Sequence, residues 1–169
     1  VSQKEYEKWL NYALYLLTLK MRTEAEVKRK LNEKQVEVET QRLVLAFLND
    51  NGLLDDVAFA RLYIEANANR YGAYRLRAYL NRKGVSERDQ EAAFESADIE
   101  ASPEARARHV LSRKVESLNI DWNQVSNDYA YRNKVYGKLA RFLAGRGFSS
   151  DIVKTVVRER LSHEFFDEF

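Results

Sequence analysis

Residues 75–85 read RLRAYLNRKGV, and two other stretches fall into register with them. EVKRKLNEKQV at 26–36 lies 49 residues earlier, and KLARFLAGRGF at 138–148 lies 63 residues later. Superposed, Val27, Leu76 and Leu139 align, then Leu31, Leu80 and Leu143, then Val36, Val85 and Phe148. The four-residue step within each stretch is that of one helix face. Each stretch is preceded by a helical apolar run and followed by another (QRLVLAFL, QEAAFESA, DIVKTVVRERL), so one unit is three short helices. Self-similarity of this kind marks a stacked array, and the period is too long for tetratricopeptide or ankyrin units. The spacing predicts an all-α fold: a single array over 1–169 made of three tandem three-helix repeats, at 5–52, 53–101 and 102–163, elongated and curved. The longer second step puts extra residues in the third repeat near Asn119–Arg132, and the segment Leu118–Tyr131, with Trp122, has no counterpart.

Composition agrees with this reading. The chain has 169 residues, 45% apolar and 32% charged, with one proline (Pro103) and six glycines, few for a sandwich, a barrel or a phosphate-loop enzyme. The absence of cysteine removes disulfide and thiolate chemistry. No apolar run approaches the roughly 20 residues of a membrane span, and no signal-peptide pattern opens the chain. The first residue is Val1 rather than methionine, compatible with a preceding segment.

Asp55 and Asp56 raise the question of acid/base or metal chemistry. Gly52 suits the left-handed position after a helix, Asp55 an N-cap, and Asp56 the negative charge wanted at a helix start. Leu54 and Phe59 then have the spacing of a hydrophobic staple. The three residues read as structural caps. His109 and His163 lie far apart without companions at ligand spacing, and no nucleophile motif or Walker loop is present. No catalytic residue, metal or cofactor is expected. Tyr71–Gly72 and Gly145–Gly147 read as turns, and Trp9 and Trp122 as core or boundary residues.

Net charge is only +2, but it is segregated. Residues 61–84 carry six cations against Glu65, residues 85–101 carry six acids against Arg88, and residues 132–147 carry five cations and no acid. With Leu76 and Leu80 buried, Arg75, Tyr79 and Arg82 share an adjoining exposed stripe, with Lys83 beyond it. In the third repeat Lys138 is equivalent to Arg75, joined by Lys134 and Arg141. In the first repeat the corresponding places are Glu26 and Glu33. Recurrence in two repeats makes these seven basic and aromatic residues the candidate binding surface, for phosphate or for an acidic protein groove.

GLLDDVAFARLYI at 52–64 joins ALYLLTLKMRTEAEVKRKL before it and YGAYRLRAYLNRKGV and RFLAGRGFSSDIV after it. Four such motifs in this order resemble the RecX family, regulators of the RecA recombinase, from about Asn11 to Leu161. Leu53 departs from the pattern, since an aromatic is common there. The resemblance implies tandem three-helix repeats. It also implies a non-enzymatic, cytoplasmic and monomeric protein that binds the RecA filament on single-stranded DNA, restrains strand exchange and filament growth, and touches DNA directly but more weakly. That would place it in homologous recombination, DNA repair and the SOS response. Two rivals stand beside this reading. One is an autonomous DNA-binding protein with helix-turn-helix-like units. The other is a metal-dependent nuclease using Asp55 and Asp56.

Overall fold

The computed structural model describes residues 1–163, and those residues form ten helices and no strand. They are α1 (Gln3–Leu19), α2 (Glu24–Glu33), α3 (Val38–Asp50), α4 (Asp56–Asn67), α5 (Ala73–Arg82), α6 (Glu87–Ser96), α7 (Pro103–Glu116), α8 (Trp122–Asn127), α9 (Tyr129–Gly145) and α10 (Ser150–His163). No helix among the described residues is long and apolar enough to cross a membrane. The fold is all-α and built of three-helix repeats. Two compact units divide it: the first takes residues 1–64 and 78–97, the second 65–77 and 98 onward.

α2, α5 and α9 end in the same way. The N–H groups of Val36, Val85 and Phe148 reach back to the carbonyls of Leu31, Leu80 and Leu143 at 3.2, 3.1 and 3.3 Å. One residue earlier, Gln35, Gly84 and Gly147 donate to Asn32, Asn81 and Ala144 at 2.8, 3.0 and 2.9 Å. These pairs are Schellman closures, which need a left-handed residue; φ there is +56°, +77° and +90°. The three leucines are fully buried. The repeat read from leucine spacing is thus also a repeat of backbone hydrogen bonds.

In the first unit α1 packs on α2 and α3 around Ala13, Val27, Leu31, Val44 and Leu48. The start of α2 docks on the end of α5. Thr23 Oγ1 donates to the Lys83 carbonyl at 2.6 Å, and a Cβ at Gly84 would strike Ala25. Within this unit a buried amide ties α3 to the end of α2, and another ties α6 to the end of α5 in the same way. Gln41 Nε2 donates to Asn32 Oδ1 and the Val36 carbonyl, each at 2.8 Å; Gln90 Nε2 does the same to Asn81 Oδ1 and the Val85 carbonyl, at 2.6 and 3.0 Å.

In the second unit α7, α9 and α10 enclose Leu111, Leu139, Leu143, Val156, Val157 and Leu161. The start of α5 docks on the end of α9 through positions equivalent to those just described. Gly72 N–H donates to the Arg146 carbonyl at 2.8 Å and Tyr74 N–H to the Gly147 carbonyl at 3.1 Å. The residues without counterpart form α8 and the lengthened start of α9. Asp121 caps α8 by accepting from Gln124 N–H at 3.0 Å, and Val125 enters the core. The third repeat therefore carries a fourth, short helix.

Candidate nucleic-acid interface

The paired aspartates are spent on backbone. Asp55 Oδ1 accepts from Ala58 N–H at 2.9 Å and caps α4. Asp56 Oδ1 accepts from Glu24 N–H at 2.9 Å, so its carboxylate ties the first residue of α2 to the start of α4. Burial pushes the Asp56 carboxyl up from its ordinary value; the Glu24 N–H opposes this, and the charges of Glu24, Asp89 and Asp55 add to it. Gly52, at φ +66°, follows α3 and donates to the Asn49 carbonyl at 3.0 Å.

In the first unit lie Tyr79, Arg82 and Lys83. Tyr79 is half-buried and stacked on Tyr63, with centroids 3.8 Å apart and planes within 10°. The Arg82 guanidinium and the Lys83 ammonium stand 5.9 and 5.6 Å from its ring centroid. Lys83 Nζ is also bound to Glu26 Oε1 at 2.8 Å. Glu26 corrects the expectation of an exposed acidic position: it is 8% exposed, because the start of α2 is covered by the end of α5. It also closes a capping box with Thr23. Burial raises the Glu26 carboxyl, but the Lys83 hydrogen bond, the Thr23 N–H and the charges of Lys83 and Lys20 hold it below its ordinary value. Arg29, Arg82 and Lys83 line an open cleft above this pair.

In the second unit lie Arg75, Lys134, Lys138 and Arg141, all exposed. Arg75 Nη1 donates to the Gly145 carbonyl at 3.2 Å, and its guanidinium lies 4.2 Å from the centroid of Tyr71. Around the same ring stand Arg146 at 5.7 Å and Arg70 at 6.0 Å. Arg146 also lies 5.2 Å from Phe142, as does Lys114. Arg106, 7% exposed, donates from Nη1 to the carbonyls of Ala68 at 2.9 Å and Tyr71 at 3.4 Å, fixing the backbone behind the ring. Burial lowers the Arg106 pKa from its ordinary value, with the Glu104 charge acting against it.

Sequence reasoning found Arg75 but took Tyr71–Gly72 and Gly145–Gly147 only as turns, and so missed Arg70, Tyr71, Lys114, Phe142 and Arg146. One signal was available. The residue before each left-handed turn is Lys34, Lys83 or Arg146, so all three repeats set a cation at the same helix end.

Comparison with known proteins follows the same division into repeats. Residues 10–48 match the family model for the RecX first three-helix domain, and residues 55–93 that for the second. A regulatory protein RecX of Thermus thermophilus is 36% identical over 139 residues, 82% of each chain. One from Clostridium botulinum is 32% identical over 87% of this chain, which spans 66% of that relative's length. The crystal structure of RecX from Lactobacillus salivarius superposes with a TM-score of 0.70 at 24% identity, over 94% of this chain and 97% of that one; this is a likeness of fold.

Proposed function

Since the chain belongs to the RecX family, we propose that it regulates the RecA recombinase, mainly as an inhibitor, by binding the RecA filament on single-stranded DNA. On this reading it acts in the cytoplasm as a monomer, with no cofactor and no catalysis of its own. It touches both RecA and, more weakly, DNA. The observation that carries the reading is the 36% identity to a regulatory RecX over most of both chains. Exposed Arg82 in the first unit, and exposed Arg75, Lys134, Lys138 and Arg141 in the second, give each unit positive charge of the kind a polyanionic filament attracts. Tyr79 and Lys83 are already engaged with Tyr63 and Glu26 within the first unit.

Co-sedimentation tests the reading. The chain is expected to pellet with RecA-coated single-stranded DNA at concentrations where it leaves naked strands largely unbound. Equal binding to coated and naked strands, with a steep salt dependence, favours the autonomous DNA-binding protein instead.

A further inference from the structure

The positions equivalent to Glu26 and Lys83 are Arg75 and Arg146, 49 and 63 residues further on. In the first unit a carboxylate meets an ammonium at 2.8 Å. In the second, two guanidiniums are brought against one ring, Tyr71, at 4.2 and 5.7 Å, with Arg70 third at 6.0 Å. Lys114 joins Arg146 on Phe142. Four cations thus share two rings, and among the described residues no carboxylate pairs with any of them. Part of this serves α9, whose carbonyl end accepts from Arg75 and favours positive charge. That role does not extend to Arg70, which donates to Asn67 at 3.3 Å, or to Lys114 on α7. Like charges gathered without a counter-charge are what an external anion would complete.

We propose that Arg70, Arg75, Lys114 and Arg146 form a binding site for the phosphodiester backbone of a nucleic-acid strand, with Tyr71 and Phe142 as the rings that hold the cations in place. This rests on the reading of the chain as a regulator that acts on DNA filaments. The rings themselves are covered by cations, which leaves their faces to guanidinium contact rather than to base stacking. Recognition is therefore blind to base sequence. A single strand carries one charge on every nucleotide, a repeat that several neighbouring cations can meet together, and guanidinium forks match phosphate oxygens.

The test uses the full chain without RecA, a labelled oligothymidine strand, and fluorescence anisotropy over a range of salt. Arg70→Gln with Arg146→Gln should weaken binding at low salt by about tenfold or more, and the log–log salt slope should fall by about 0.7 for each cation lost. Arg70→Lys with Arg146→Lys should retain the slope, and a mixed-sequence strand should bind as oligothymidine does. Lys114→Gln, which removes no backbone hydrogen bond, carries the same slope test should the double variant fail to fold. Unchanged affinity and slope in the glutamine variants would overturn the site. So would competition by poly-glutamate equal to that by oligonucleotide, which would mark the cluster as a dock for acidic protein. Because RecA is absent, failure here leaves the regulatory reading standing, and loss of RecA regulation leaves a phosphate site standing.

Discussion

Glu26 and Lys83, 57 residues apart in sequence, meet at 2.8 Å where the start of α2 covers the end of α5. The pair is mostly buried, with side chains 10% and 26% exposed. Removing one partner leaves a charge without compensation. Lys83→Met should cost about 2–3 kcal/mol, less than a fully buried pair because Lys83 retains some water contact. Glu26→Gln with Lys83→Met should cost less than Lys83→Met alone. Urea unfolding of the three proteins measures both.

The same carboxylate and Asp56 give opposite pH dependences. Glu26 has a folded pKa below its ordinary 4.5, so its stabilisation is full above 4.5 and is lost as pH falls through the lower folded value. Asp56 has a folded pKa above its ordinary 3.8, so its ionisation opposes folding, and protonation relieves this as pH falls through the raised value towards 3.8. Glu26→Gln should flatten the acid limb of the stability profile, whereas Asp56→Asn should steepen it. An Asp56→Asn profile parallel to that of the parent would contradict the assignment.

Glycine positions separate strain from collision. At Gly52 a Cβ meets nothing within 4 Å, so Gly52→Ala should cost only the left-handed backbone term, about 1–2 kcal/mol. At Gly84 and Gly147 the same methyl strikes Ala25 or Arg75, and the cost should be clearly larger. Gln35 already holds φ +56°, so Gln35→Gly should stabilise the chain by about 1 kcal/mol. Thermal and urea unfolding rank the four.

Asp55→Ala removes one cap and should cost about 1 kcal/mol, with binding to RecA filaments retained by the folded protein. Lost binding at unchanged stability would return the aspartates to functional standing.

Leu31, Leu80 and Leu143 were legible from spacing alone, because a buried helix face repeats its apolar residues at fixed intervals. Each is fully buried, and each Leu→Ala should cost about 2–5 kcal/mol. The cap at Asp55 was legible for a similar reason, since its chemistry acts within four residues. What spacing did not reveal depends on partners distant in sequence. Glu26 looked exposed until α5 covered it. The Gln41–Asn32 and Gln90–Asn81 amides recur at the same 49-residue step, but each side chain read within its own helix looks like one that faces solvent. Arg70, Lys114 and Arg146 come from three different segments, and only folding gathers them on Tyr71 and Phe142. The short α8 lay in the one stretch with no repeat to read against.

The central claim, regulation of RecA, is tested most directly by titrating the chain into RecA assembled on single-stranded DNA and following ATP hydrolysis. The rate should fall with rising concentration, and Arg70→Gln with Arg146→Gln should shift the titration to higher concentration. A hydrolysis rate unchanged by molar excess of the folded protein would contradict the account.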